Sequence, residues 1–202
     1  MSQKYPVPPP DKYVALSTAC VGCGPGGGTP MIARVAVVDY RGRELYFTYV
    51  SPTIAVTDYR TKHTGIKPED LEPGRALPWA TVQQQIGHLI KDKIIVGYTL
   101  WQDLSVIGIC HPAVATRDVA LYQPFRNALQ NMVRSNTQTI GLHTLMWLLM
   151  RRKIQDTQTC PLENARAAMD LYRSRAEEWE GIIAKGQWPT SLPPSTFSRC
   201  YT

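Results

Sequence analysis

What this sequence lacks narrows its class before any motif is read. No apolar run reaches the ~18 residues that cross a bilayer, so a soluble protein with no membrane partner is expected. No secretory leader opens the chain, and its cysteines (Cys20, Cys23, Cys110, Cys160 and Cys200) are odd in number and irregular in spacing. That favours a reducing intracellular setting, nuclear or cytoplasmic, over a disulfide framework. Cys20-x-x-Cys23 has no second ligand pair at zinc spacing, and His63, His88, His111 and His143 are scattered, so no metal is expected there. A dense basic cluster is missing as well. The net charge of +6, from 22 Lys and Arg against 16 Asp and Glu, permits a polyanionic partner without demanding one. The longest basic run, Arg151-Arg152-Lys153, reads as charge opposing a helix dipole. Internal repeats are also absent.

What is present suits one globular domain: 202 residues, 44% apolar and 19% charged. Residues 1–12 (MSQKYPVPPPDK) form a proline-rich arm, residues 13–181 the domain and residues 182–202 a tail without periodicity. Tyr13–Thr18, Met31–Asp39 and Glu44–Val50 alternate as strands joined by a glycine-rich loop and a tight turn, an antiparallel meander. Ser51–Arg75 reads as a long connection with a helical turn at Pro68–Leu71. Trp79–Lys91 has helical spacing, Ile94–Gly97 a buried-strand pattern, Leu100–Ile109 a helical one and Ala115–Val119 that of a last strand. Two helices, Thr139–Lys153 and Leu162–Gly181, follow. This order predicts an α/β fold with a mixed five-stranded sheet flanked by helices.

That order, and the strings YVALSTACVGCGPGGG, MIARVAVVD, SPTIAVTDYRTKHTGIKPEDL, IIVGYTLWQDL, the RD of ATRDVALY and TCPLENARAAMDLY, resemble the DEDDh (ribonuclease H-fold) 3′→5′ exonucleases. The branch they resemble most is the RNA exonuclease 4-like one. The resemblance implies a ribonuclease H-like fold and a two-metal phosphodiesterase site, in which carboxylates hold the ions and a histidine is general base. Carried onto this chain, the D-x-E positions are Ser17 and Ala19, the next Asp is Asp103, the histidine position is Thr159 and its Asp partner Asn164. One carboxylate of the set is left. The expectation is a catalytically inactive exonuclease-like protein with no metal cofactor. The alternative is an active enzyme, using Mg or Mn in a rearranged site built from Asp39, Asp58, Asp118 or Glu163. Glu163 is one residue from Asn164, which turns its side chain ~100° around the helix.

Two binding roles would outlive the chemistry. RNA contacts would fall to Arg34, Arg60, Lys62, His63 and Arg117, with hydroxyls and amides of the degenerate site donating to phosphate. A protein partner or second copy would use Trp147 and Leu148, which fall outside the core stripe of Leu142, Leu145, Met146 and Leu149. The partner role is slightly favoured. The tail, with Trp188, Leu192 and Phe197, is the competing cover for that pair.

Overall fold

The structure is a computed structural model and describes residues 7–129 and 139–202; the first half of the proline-rich arm lies outside the described residues. Three long antiparallel strands open the fold: β1 (Tyr13–Cys23), β2 (Thr29–Asp39) and β3 (Glu44–Ser51). Short β4 (Val56–Asp58) and a single turn, α1 (Thr61–Thr64), lead to β5 (Ala76–Pro78) and α2 (Trp79–Ile90). Then come β6 (Ile94–Gly97), α3 (Leu100–Ile107), β7 (Thr116–Asp118), α4 (Gln123–Leu129), α5 (Leu142–Met150), α6 (Pro161–Ser174) and α7 (Ala176–Ala184).

The sheet order is β5-β3-β2-β1-β6-β7, with β4 paired to the far end of β1. The sheet is mixed, as predicted, but has seven strands rather than five. The two additions, β4 and β5, are three residues each and lie in the proline-rich connection, too short to show alternation. β5 ends on Pro78, which an edge strand tolerates because nothing beyond it needs the missing N–H. α4 was not foreseen either. The predicted helix Leu162–Gly181 is two helices, broken at Arg175 (φ −132°, ψ 15°). The break lets Trp179 turn inward and stack on Tyr122, ring centroids 3.9 Å apart.

Alternation along β1 distributes the core. Tyr13 and Ala15 face α6, where Ala165, Ala168, Met169 and Tyr172 are buried. Val14 and Leu16 face α2 and α3, against Ile86 and Leu104. Beyond the midpoint of β1, Ala19, Val21 and Cys23 join a third, smaller cluster with Ile66 and Leu71 from the connection after α1. At about 25 cal/mol per Å² of apolar surface, these clusters are what holds the layers on the sheet.

The tail folds back, but not onto α5. Its Ser191 N–H donates to the Leu121 carbonyl (2.9 Å), and Pro189 accepts from Gln123 N–H (2.9 Å). Phe197 and Cys200 pack into the cluster shared with α3. Trp147 keeps 45% of its surface exposed. Leu148 differs from the sequence reading: it is partly buried against the α6 core, because α5 is nearly apolar all round and buries more than one stripe.

Candidate functional site

The site is defined by an interruption along one edge of β1. On one side β2 accompanies β1 almost throughout, from Val14 opposite Asp39 to Cys23 opposite Thr29. On the other side β6 pairs only Tyr13, Ala15 and the residue between them, and β4 takes up again at Gly22 and Cys23. Between these partners the edge has no strand beside it. α3 fills the gap with Asp103, whose Oδ1 accepts both the Thr18 N–H (2.9 Å) and the Thr18 hydroxyl (2.6 Å). α3 reaches that close because residue 97 is glycine. A Cβ there would run into the Leu100 side chain and stand 3.0 Å from the Leu16 carbonyl. Glycine has a second use at the strand's end. A side chain at Gly22 would collide with the Gly27 carbonyl, so the glycine-rich loop can lie flat on β1 only without it.

Asp103 is sealed. It is 6% exposed, and burial pushes its carboxyl up to about 8, against the pull of the two Thr18 hydrogen bonds and with a smaller upward push from Asp118. Burial therefore favours the protonated form of this carboxyl. Asp118, also buried, is lifted by desolvation to about 7 while accepting N–H groups from Leu100, Ala120 and Thr99. It ties down the first residues of α3, where Thr99 sits in the left-handed region (φ 54°), and so sets where Asp103 points.

The other positions to which the resemblance points carry structural contacts. Ser17 is half-buried and lies opposite Ala36. Ala19, 7% exposed, is in the third apolar cluster. Thr159 donates its N–H (2.6 Å) and hydroxyl (2.9 Å) to the His63 carbonyl, docking the segment before α6 onto α1. Asn164 accepts from the Gln155 side chain (2.8 Å), and its neighbour Glu163 accepts the Gln155 N–H (3.0 Å).

The carboxylates of the rearranged alternative are engaged elsewhere. Asp39 closes the β2–β3 turn, accepting N–H groups of Arg41 and Arg43 and pairing with the Arg43 guanidinium at 2.7 Å. Asp58 accepts the Arg60 N–H at 2.8 Å. Among the described residues no group of three or more His, Cys, Asp or Glu side chains converges as a metal would need. A pair of Mg²⁺ ions takes hard oxygen ligands, several of them anionic. One sealed, hydrogen-bonded Asp beside a serine and an alanine does not fit that group.

The five basic candidates fall into different surroundings. Arg117 is withdrawn from any nucleic acid. It is 3% exposed, its Nε and Nη2 bond the two Glu180 oxygens at 2.7 and 2.9 Å, and Nη1 donates to the carbonyls of Val114 and Thr116. Its place on β7, under the α7 that sequence reading had merged with α6, is why it looked free. Lys62 and His63 are exposed on α1. Arg60 opens α1 in the left-handed region (φ 51°) and donates to the Gly27 carbonyl (2.9 Å). Arg34 lies opposite Ala19 on β2 and in register with Tyr49 on β3. Its guanidinium stands 4.4 Å from the Phe47 ring centre and 5.0 Å from that of Tyr49, and its Nε is buried with no hydrogen-bond partner. Among the described residues no acid forms an ion pair with it. The sequence named Arg34, but what sets it apart, a cross-strand neighbour that is alanine, shows only in the register.

The family model described as exonuclease matches residues 21–148, more than half of the chain. The chain belongs to the exonuclease family. Among curated proteins it is 37% identical to human RNA exonuclease 4 over 183 residues, covering 91% of this chain and 41% of that protein. With RNA exonuclease 4 of Cryptococcus neoformans it shares 37% identity over 86% of this chain and 41% of the relative. The human apoptosis-enhancing nuclease is 34% identical, over 90% of this chain and 55% of that protein. The chain thus spans about two fifths of the length of the RNA exonuclease 4 relatives. In fold it is similar to the Neurospora crassa Pan2 catalytic unit (TM-score 0.67, 24% identity, 92% of this chain and 30% of that one). It is also similar to the Saccharomyces cerevisiae Pan2 module in complex with A7 RNA (TM-score 0.70, 24% identity, 87% and 30%). Both the mixed α/β fold and the relation to RNA exonuclease 4 implied by the motifs are borne out.

Proposed function

We propose that this exonuclease-family chain binds RNA without hydrolysing it. The observation that carries the reading is the setting of Asp103: one sealed carboxyl beside Ser17 and Ala19, with Oδ1 accepting both Thr18 hydrogen bonds. Nothing beside it supplies the charge that two divalent ions or a phosphorane-like transition state would require. The binding half rests on Arg34. The rings of Phe47 and Tyr49 hold its guanidinium in place, and the side chain is only partly buried, so its terminal nitrogens are the donors an oxyanion would meet. A phosphate oxygen of the RNA backbone is the matching acceptor. Arg60 and Lys62 add charge, and His63 an exposed ring, around the same end of β1. A setting in RNA processing follows from the relatives.

A second reading, a protein-interaction module, is favoured by one observation. Trp147 is 45% exposed, with the Lys153 ammonium 5.8 Å from its ring centre, and large exposed aromatics concentrate at interfaces. One experiment tests the principal reading. RNA labelled near its 3′ end is incubated with the protein in Mg²⁺, in Mn²⁺ and in chelator, and run both natively and denatured. The expected result is a salt-sensitive complex holding full-length RNA in all three. Metal-dependent shortening, or no complex at low salt, contradicts it.

A further inference from the structure

The C-terminal segment brings two cysteines together that the site does not use. His111 N–H donates to the Cys200 carbonyl (3.0 Å), Thr202 N–H to the His111 carbonyl (3.1 Å) and Ala113 N–H to the Thr202 carbonyl (3.0 Å). These bonds run the two segments in parallel and set His111 opposite Tyr201. One residue earlier in the same register, Cys110 stands opposite Cys200. Cys200 closes the 3-10 turn Ser195–Cys200, and the Cys110 thiol on the carbonyl of the preceding Arg199 brings the two cysteines into neighbouring positions. Cys110 is exposed, with its thiol on the Arg199 carbonyl at 2.9 Å; Cys200 is 3% exposed, with its thiol toward the Trp101 carbonyl at 3.7 Å. Burial raises the Cys200 thiol pKa, and the Cys110 sulfur is close enough to add to that rise.

We propose that Cys110 and Cys200 form an oxidative modification site, which a low-molecular-weight disulfide such as oxidised glutathione converts to an intramolecular disulfide clipping the C-terminal segment to the chain after α3. The exposed Cys110 thiolate attacks one glutathione sulfur, forming a mixed disulfide and releasing one glutathione thiolate. Cys200 then gives up its proton to solvent, and its thiolate attacks the Cys110 sulfur, expelling the second glutathione. Two protein thiols lose two electrons and two protons in all, and one glutathione disulfide becomes two thiols. Cys200 must turn away from the Trp101 carbonyl for the second step, a side-chain rotation rather than a chain rearrangement. The clip fixes the adjoining Tyr201, which lines a cavity of about 360 Å³ together with Thr116, Asp118, Leu121 and Trp188. Cys20 and Cys23 lie three positions apart on β1, and Cys160 precedes α6, none of them in a paired register with another cysteine.

The test is intact-mass measurement and peptide mapping of the folded full chain after exposure to oxidised glutathione, with a reduced control. The expected result is loss of the mass of two hydrogens, one cross-linked peptide joining residues 110 and 200, and a melting temperature higher by about 10 °C, since the ring closed is about 90 residues long. Cys110→Ser, an exposed change that leaves the fold intact, removes all three. No mass loss in the folded chain, a glutathione adduct that stays on Cys110, or a disulfide to any other cysteine overturns the proposal.

Discussion

Arg117 and Arg34 look alike in sequence, each a lone arginine inside a β-branched strand, and the structure treats them in opposite ways. Arg117 on β7 is enclosed between α7 and the tail, and Glu180 and two carbonyls meet its donors. Tyr172 donates its hydroxyl to the same Glu180 at 2.8 Å, completing the network. Arg34 on β2 has two aromatic rings and no acceptor for Nε. The difference teaches where to look for function. A satisfied buried charge is part of the scaffold, whereas an unsatisfied one asks for a ligand.

The largest effect should come from breaking the satisfied side. Glu180→Ala leaves the Arg117 guanidinium buried without its partner, and about 3–5 kcal/mol of stability should be lost in a denaturant titration. A loss under 1 kcal/mol would mean that water already reaches the pair. On the other side, Arg34→Met keeps the length of the side chain and removes the orphaned donors. Stability should change by less than about 1 kcal/mol, while RNA affinity falls roughly tenfold, the worth of a hydrogen bond to a charged group. A variant that unfolds while binding RNA as before would make Arg34 scaffold like Arg117.

The two buried acids permit a pH test. An unfolded Asp ionises near pH 3.9, roughly, while Asp103 and Asp118 hold their protons in the folded chain to about 8 and about 7. Between about pH 4 and pH 8 the folded state therefore binds more protons, and stability falls as pH rises. Asp103→Asn can still accept the Thr18 bonds without ionising. Its melting temperature should exceed that of the parent by roughly 10 °C more at pH 8 than at pH 5, read by thermal melts. An equal shift at both values would show that the effect is packing, not titration. The smallest effect belongs to Trp147→Ser, which should leave stability within about 0.5 kcal/mol. A larger loss would place Trp147 in the core and remove the reason to assign it a partner.

Much of this was legible in the residues, for local reasons. β1, β2 and β3 alternate because one face of each meets helices, and Asp103 could be placed because a strand and a helical pattern bracket it. The first-strand positions Ser17 and Ala19 were readable as lacking carboxylates. What the sequence could not show was pairing at a distance. That Thr18 answers Asp103, that Thr159 docks on His63, and that Arg117 meets Glu180 are contacts across 85, 96 and 63 positions. The break at Arg175 was equally hidden, since the apolar period runs through it and only the stacking of Trp179 on Tyr122 shows why the chain turns. β4 and β5 are held by neighbours rather than by their own composition, so three residues of either carry no strand signal.

The central claim is that the edge of β1 no longer holds divalent metal. Titrating the folded protein with Mn²⁺ and following the free-ion electron paramagnetic resonance signal tests it without reference to any substrate. The expected result is a signal that grows with added Mn²⁺ as it does in buffer, the same for the parent and for Asp103→Asn. Uptake of one or two Mn²⁺ ions per chain, lost on Asp103→Asn, would contradict it.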